Sequence, residues 1–207
     1  MVFGRQPLAA ALGYALGAIP VADAVARHAR SDQSDLREIG SRNPGAANVS
    51  RQIGKRWGSA VFAGDVVKGA LAAHIGRRVG GAVGANVAAT AAVVGHCHPP
   101  GREGGKGVAT SIGQVVGTFP GYLPLDIAVG AATAALPKWT QRSWAATSVA
   151  SAVWVTAATV AWRKGWSTGP DARAPAALPL AAALSSAVIA RRFAATPLAE
   201  GPRTDDR

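Results

Sequence analysis

Long apolar runs alternate with short polar segments along most of this chain, and the pattern predicts a helical membrane protein. The apolar runs approach the roughly 20 residues that a helix needs to cross a bilayer. Several are short or interrupted by glycine and proline, so about seven spans are predicted and five or six remain possible. The predicted spans are residues 6–26, 58–76, 79–96, 107–119, 121–137, 144–162 and 174–191.

The composition agrees with this pattern. Hydrophobic residues make up 49% of the chain and charged residues 16%, whereas about a quarter of a typical soluble protein is charged. The single Cys97 excludes an internal disulfide. We therefore expect an all-α polytopic membrane protein, with one integral-membrane domain over residues 1–195 and a polar, disordered tail over residues 196–207.

The net charge of +11 favours anionic lipids or anionic substrates over nucleic acid, because no repetitive or aromatic-rich basic region accompanies it. When the N-terminus is placed outside, most arginine and lysine residues of the loops fall on the inner side, as the positive-inside tendency requires. The sequence therefore predicts a protein of the bacterial inner membrane whose longest polar loops face the cytosol.

The longest polar stretch, EIGSRNPGAANVSRQIGKR at residues 38–56, carries groups suited to binding a phosphate. Ser41, Asn43 and Asn48 offer hydrogen-bonding side chains, and Gly45 permits unusual backbone geometry. Arg51 presents paired N–H donors that match a phosphate and stay charged. A solvated basic loop that faces anionic headgroups is the simpler alternative for this stretch.

A second candidate anion-binding loop is GGKG at residues 104–107. Gly104, Gly105 and Gly107 allow backbone N–H groups to approach an anion, and Lys106 adds a positive charge. A helix that begins near Val108 would add its N-terminal partial charge. The loop is not a Walker A sequence, because glycine stands where that motif needs serine or threonine.

Asp65 and Lys68 lie inside an apolar run, three residues apart, where a helix places them on one face. Ionisable residues within a span are costly and mark candidate sites, although a purely structural ion pair is an equal alternative. His96 and His98 flank Cys97, but no further ligand stands at a recognisable spacing, so no metal site is expected.

Taken in chain order, these segments resemble the PlsY family of bacterial membrane acyl-phosphate:glycerol-3-phosphate acyltransferases. The likeness covers residues 13–112. It begins with GYALGAIP and continues through GSRNPGAANVSR, GDVVKG, a GH pair and GGKGVATS. The family's first motif is Gly-Ser-Gly-Asn-x-Gly-x-Thr-Asn-x-x-Arg, and this chain has Arg42 and Ala47 in place of the second glycine and the threonine.

The resemblance implies transfer of a fatty acyl group from acyl-phosphate to the sn-1 hydroxyl of glycerol 3-phosphate, giving lysophosphatidic acid and phosphate in phospholipid biosynthesis. Because acyl-phosphate is already activated, orientation and charge neutralisation suffice, and no cofactor is expected. The implied partners are both substrates and membrane lipid, with an acyl-phosphate-forming enzyme as a further candidate. The implied catalytic residues are Ser41, Arg51 and Lys106, and the implied substrate-binding residues are Asn43, Gly45, Asn48, Asp65, Lys68, His96, Gly104, Gly105, Gly107, Thr110, Ser143 and Arg192.

The second half of the chain departs from the family pattern. The family has a serine near the start of its sixth span, for which Ser143 is the best match and Ser148 the alternative. Its last span ends in a histidine followed three positions later by an asparagine, where this chain has Arg192 and Ala195. Three hypotheses therefore stay open: a working acyltransferase with an altered C-terminal contact, a non-catalytic phosphate- or lipid-binding membrane protein, and an anion transporter.

Overall fold

The computed structural model describes residues 3–29, 34–136 and 141–195, and the regular secondary structure within them is helical. This confirms the predicted all-α fold, and the tail predicted at residues 196–207 lies outside the described residues. The helices are α1 (Gln6–Gly17), α2 (Val21–Ala29), α3 (Ala46–Gln52), α4 (Lys55–Cys97), α5 (Val108–Thr118), α6 (Leu123–Ala135), α7 (Arg142–Lys164) and α8 (Ala177–Ala195), with 3₁₀ turns at Phe3–Arg5 and Pro120–Tyr122.

The long helix α4 is a helical hairpin. Gly80 and Gly81 leave helical geometry, and the φ of 64° at Gly81 is one that residues with a Cβ rarely adopt. The two arms lie so close that a Cβ at Gly76 would overlap the carbonyl of Gly84. The first arm (55–79) and the second arm (82–97) correspond to the predicted spans 58–76 and 79–96.

Small residues allow the helices to pack closely around α4. A Cβ at Gly13 of α1 would overlap the backbone of Ala88 in the second arm, and a Cβ at Gly69 in the first arm would overlap the carbonyl of Thr110 in α5. Such contacts are typical of helix pairs in membranes, where close backbone approach replaces the hydrophobic driving force. The many glycines and alanines of the apolar runs are therefore packing surfaces.

Four helical stretches among the described residues are long and apolar enough to cross a membrane. One of them combines α1 and α2, which are separated by a break at residues 18–20. The helices α5 and α6 have 11 and 13 residues, fewer than the roughly 20 of a full crossing. The fourth and fifth predicted spans are therefore helices, but shorter than predicted. The four stretches are Gln6–Ala29, Lys55–Cys97, Arg142–Lys164 and Ala177–Ala195.

Successive passes run in alternating directions, so two polar loops meet at one end of the molecule. We call them the first loop (residues 34–45, before α3) and the glycine loop (residues 98–107, before α5). The end of α8 reaches the same place, because Arg192 donates to the Gly104 carbonyl at 2.7 Å. We call this the site end.

The opposite end is held by polar and aromatic contacts of the second half. Arg77, near the end of the first arm of α4, pairs with Asp171 in the loop before α8 at 2.8 Å. Trp154 of α7 is buried in an apolar cluster with Leu178 of α8, and its ring stacks on Tyr122 with centroids 4.8 Å apart. These contacts fix α7 and α8 against the α4–α5 unit.

Candidate active site

Asn48 shapes the first loop from its position at the start of α3. Its side chain is completely buried, donates to the carbonyls of Leu36 and Ile39 at 3.1 Å each, and accepts from the Ser41 N–H at 3.0 Å. Gly40, with a φ of 57°, lies against this amide, where a side chain would overlap it. Asn48 therefore holds Ser41 in place through the backbone and is itself occupied by the loop.

The glycine loop is fixed by the helices on both sides of it. The Gly105 N–H donates to the His96 carbonyl at 3.1 Å. Arg192 donates to the carbonyls of Gly104 and Gly105 at 2.7 and 3.4 Å. Gly107, with a φ of 84°, is the N-cap of α5, in agreement with a helix that begins at residue 108. The Gly105 N–H, predicted to face an anion, is thus engaged by the protein.

Three positive side chains from three elements form what we call the cationic cluster: Arg51 of α3, Lys106 of the glycine loop and Arg192 of α8. Burial lowers the pKa of Lys106, and the nearby charges of Arg51 and Arg192 lower it further. The ammonium lies 4.2 Å from the centroid of the Phe193 ring, whose own centroid is 5.0 Å from that of Trp144. Cation–π contact of this kind favours the charged amine.

The predicted pairing of Asp65 and Lys68 is confirmed. The Lys68 ammonium lies 2.9 Å from the Asp65 carboxylate and donates to the Ile19 carbonyl at 3.2 Å. His96 approaches the same carboxylate with Nδ1 at 3.5 Å, while its Nε2 lies directly against Gly105. Asp65 and Lys68 are 2% and 5% exposed, and buried charges of this kind require such partners. His96 therefore links the ion pair to the glycine loop.

Arg37 connects the two loops, a contact that the sequence did not indicate. It forms a bidentate pair with Asp23 of α2 at 3.0 and 3.1 Å and donates to the Glu103 carbonyl of the glycine loop at 2.9 Å. Arg102 donates from the glycine loop to the Ala18 carbonyl. The partners lie far apart in the chain, so no local spacing marks them.

These contacts enclose a small cleft at the site end. It is bounded by the break between α1 and α2, by Arg37, by Lys68 and His96 of α4, and by Gly105. The predicted site residues thus form two neighbouring groups, the cleft and the cationic cluster. The glycine loop joins them, because His96 contacts one side of it and Arg192 the other.

The remaining predicted site residues have different surroundings. The Asn43 amide oxygen is buried and has no hydrogen-bond partner in the described part of the chain, and Gly45 leaves room for that side chain. Thr110 is completely buried in the α4–α5 contact. Ser143 is exposed in the first turn of α7. Its neighbour Trp144 contacts the Phe193 ring, and that ring contacts the Lys106 ammonium.

Comparison with known proteins agrees with this arrangement. The family profile for glycerol-3-phosphate acyltransferase matches residues 7–195. A glycerol-3-phosphate acyltransferase of Thermoanaerobacter pseudethanolicus is 38% identical over 134 residues, which are 64% of this chain and 67% of the relative. Glycerol-3-phosphate acyltransferase 1 of Deinococcus radiodurans is 43% identical over 111 residues, 52% of this chain and 54% of the relative.

Solved structures give the same result for the whole fold. The crystal structure of PlsY, an integral membrane glycerol 3-phosphate acyltransferase, in its glycerol 3-phosphate form is similar with a TM-score of 0.73 and 28% identity, covering 91% of this chain and 88% of that one. Its lysophosphatidic acid form is similar with a TM-score of 0.70 and 27% identity, covering 91% and 87%. The chain therefore belongs to the glycerol-3-phosphate acyltransferase family of integral membrane enzymes.

Proposed function

We propose that this acyltransferase uses acyl-phosphate as its donor and the sn-1 hydroxyl of glycerol 3-phosphate as its acceptor. The hydroxyl oxygen forms a bond to the acyl carbonyl carbon, and the bond from that carbon to the phosphate oxygen breaks. The electron pair leaves with inorganic phosphate, the hydroxyl proton is released, and lysophosphatidic acid remains. The mixed anhydride supplies the activation, so the protein has to orient two phosphorylated substrates and neutralise their charge.

The single observation that carries this proposal is the cationic cluster. Lys106 of the glycine loop lies near Arg51 of α3 and Arg192 of α8, and burial together with these two charges lowers the pKa of Lys106. A phosphate dianion bound there would relieve this repulsion and form charge-assisted hydrogen bonds. Arg192 also holds the glycine loop through the Gly104 and Gly105 carbonyls, so it positions Lys106 as well as adding charge to the cluster.

The other predicted site residues support this cluster in different ways. Ser41 lies on the first loop at the position that Asn48 fixes, and the buried amide oxygen of Asn43 has no partner among the described residues. Asp65, Lys68 and His96 hold the glycine loop from the α4 side. Gly45, Gly104, Gly105 and Gly107 provide space or backbone geometry, Thr110 belongs to the α4–α5 contact, and Ser143 lies at the edge of the cluster.

The same proposal sets the site end at the cytosolic face of the inner membrane, in a single domain that covers residues 1–195. Glycerol 3-phosphate would then arrive from the cytosol and the acyl chain from the lipid, so the two meet at the membrane surface. An enzyme that forms acyl-phosphate is the partner that this donor requires.

Phosphate release from acyl-phosphate by the purified protein in lipid, with and without glycerol 3-phosphate, tests the proposal. The wild type should release phosphate only when glycerol 3-phosphate is present, and should form lysophosphatidic acid. Arg51→Ala and Lys106→Ala should each lower kcat/KM about ten- to hundredfold, because each removes a charged partner of phosphate. Lys55→Ala is the matched control, since Lys55 is an exposed cation at the start of α4.

The alternatives give different results in the same experiment. Folded protein that binds glycerol 3-phosphate without turnover would show a non-catalytic binder. Turnover with acyl-CoA or an acyl-carrier protein but not with acyl-phosphate would show that the donor is wrong. An equal loss in Lys55→Ala would show that the cationic cluster has no special role.

A further inference from the structure

A cavity of about 430 Å³ lies among α5, α6, α7 and α8, beside the first arm of α4. The part of the cavity nearest the site end is lined by Val108, which follows Gly107 directly, and by Ile189, which lies close to Gly107. The cavity therefore begins next to the glycine loop and extends into the apolar part of the molecule. Its volume is within the roughly 300–1,000 Å³ of small-molecule sites.

Two buried polar groups line the cavity. The indole N–H of Trp154 and the hydroxyl of Ser185 both line it, and neither has a hydrogen-bond partner within the described residues. The two residues are 5% and 1% exposed. Asp126 of α6 lines the same cavity. Buried polar groups without partners are costly, so their presence together points to a ligand that completes their hydrogen bonds.

The position of these groups relative to the cationic cluster is set by α8. Ser185 precedes Arg192 by seven residues of continuous helix, which corresponds to about 10 Å along the helix axis. A ligand whose phosphate end lies at the cationic cluster would therefore pass Val108 and Ile189 first and meet Ser185 about 10 Å further along. For a long-chain acyl-phosphate, that position is the middle of the chain.

We propose that this cavity receives the acyl chain and is built for a chain that carries a hydroxyl group near its middle. A hydroxyl can accept from the Trp154 N–H, exchange a hydrogen bond with Ser185, and donate to Asp126. A plain hydrocarbon chain would leave the Trp154 N–H and the Ser185 hydroxyl without partners. This inference rests on the proposed function, because the donor's phosphate must lie at the cationic cluster.

The test compares two acyl-phosphates of equal length, one saturated and one with a mid-chain hydroxyl, as donors for the purified protein in lipid. The wild type should favour the hydroxylated donor about three- to tenfold in kcat/KM, the value of one neutral hydrogen bond. Trp154→Phe, which retains the aromatic ring, and Ser185→Ala should each reduce this preference toward unity. Thr159→Ala is the matched control, because the Thr159 hydroxyl of α7 already donates to the Val155 carbonyl.

A binding measurement separates this inference from the proposed reaction. Long-chain alkyl phosphates with and without a mid-chain hydroxyl cannot transfer an acyl group, and their dissociation constants are measured by calorimetry. Tighter binding of the hydroxylated compound, lost in Trp154→Phe and Ser185→Ala, supports the inference even if acyl-phosphate is not turned over. Equal binding of both compounds, or a preference that neither variant changes, overturns it while the proposed function stands.

Discussion

Lys106 is a residue of the cationic cluster whose charge the structure makes sensitive to pH. Burial and the charges of Arg51 and Arg192 lower its pKa, so it loses its proton at a lower pH than a free lysine does. If the charged form binds phosphate, kcat/KM should fall as the pH rises through this lowered pKa, below the usual lysine range near 10.4. Lys106→Arg should remove that alkaline limb, because arginine stays charged.

The measurement is the pH profile of kcat/KM for glycerol 3-phosphate in both proteins, with their folding checked at each pH. Lys106→Arg changes the geometry of the contact, so a lower plateau is expected at neutral pH. The informative quantity is the position of the alkaline limb. The same limb in both proteins would assign it to another group and would remove Lys106 from the binding step.

Arg42 has a backbone conformation that the sequence motif would assign to glycine. Its φ of 54° lies in the left-handed region, which costs a residue with a Cβ about 1–2 kcal/mol. Arg42→Gly should relieve this cost, partly offset by the greater flexibility of glycine in the unfolded chain. We expect a net gain of about 0.5 kcal/mol in the free energy of unfolding, seen as a higher Tm in detergent.

Arg42→Ala separates backbone strain from the loss of the exposed guanidinium. Alanine keeps the Cβ and the strain, so its Tm should not rise. An equal rise in both variants would show that charge repulsion at the site end, and not the backbone, is the cause.

Residue patterns predicted the site where its chemistry is local in the chain. Asp65 and Lys68 are three residues apart on one helix, and their pairing followed from that spacing. The link from Arg37 to the Glu103 carbonyl joins residues 66 positions apart, and no spacing marks such a contact. The occupied amide of Asn48 was also beyond prediction, because its partners are backbone carbonyls.

At the level of elements, the last turn of α8 acts on the site through Phe193. The ring lies under the Lys106 ammonium at 4.2 Å and is backed by Trp144 of α7. Phe193→Leu keeps an apolar side chain but removes the π face, which is worth about 0.5–2 kcal/mol to a cation. We expect kcat/KM to fall about two- to thirtyfold, with the alkaline limb of the pH profile moved to lower pH.

Phe193→Tyr is the matched control, since it keeps an aromatic face under the ammonium and should remain close to the wild type in both respects. A fall in kcat/KM for Phe193→Leu with an unchanged pH profile would show that the ring only packs against α7. The pH profile therefore distinguishes an effect of the Phe193 ring on the Lys106 charge from a general loss of protein stability.

The apolar runs predicted most of the elements but not how each one ends. The second and third predicted spans are the arms of α4, but their reversal at Gly80-Gly81 lies just inside the third predicted span and not in the gap at residues 77–78. The runs did not reveal the break at residues 18–20 or the short helix α3. The break contains Pro20, which cannot continue a helix, and the Lys68 ammonium contacts the Ile19 carbonyl there; hydropathy carries no information about that contact.

For the whole molecule, the distribution of positive charge predicts which end faces the cytosol. The site end carries Arg27, Arg37, Arg42, Arg51, Lys55, Arg56, Arg102, Lys106, Arg142, Arg191 and Arg192, whereas the opposite end carries fewer cations, Arg5, Arg77, Arg78, Arg163, Lys164 and Arg173. The positive-inside tendency then predicts that the site end faces the cytosol. Only this orientation lets a soluble phosphorylated acceptor reach the cationic cluster without crossing the membrane.

Cysteine labelling with a membrane-impermeant maleimide tests this orientation. Cys97 is 1% exposed and should not react, so the native chain is the blank. Glu103→Cys places an exposed thiol at the site end and Pro170→Cys places one at the opposite end. In intact cells Pro170→Cys should be labelled, and Glu103→Cys should react only after the inner membrane is opened. The reverse pattern would place the cationic cluster outside, where cytosolic glycerol 3-phosphate is absent, and would contradict the proposed reaction as well as the orientation.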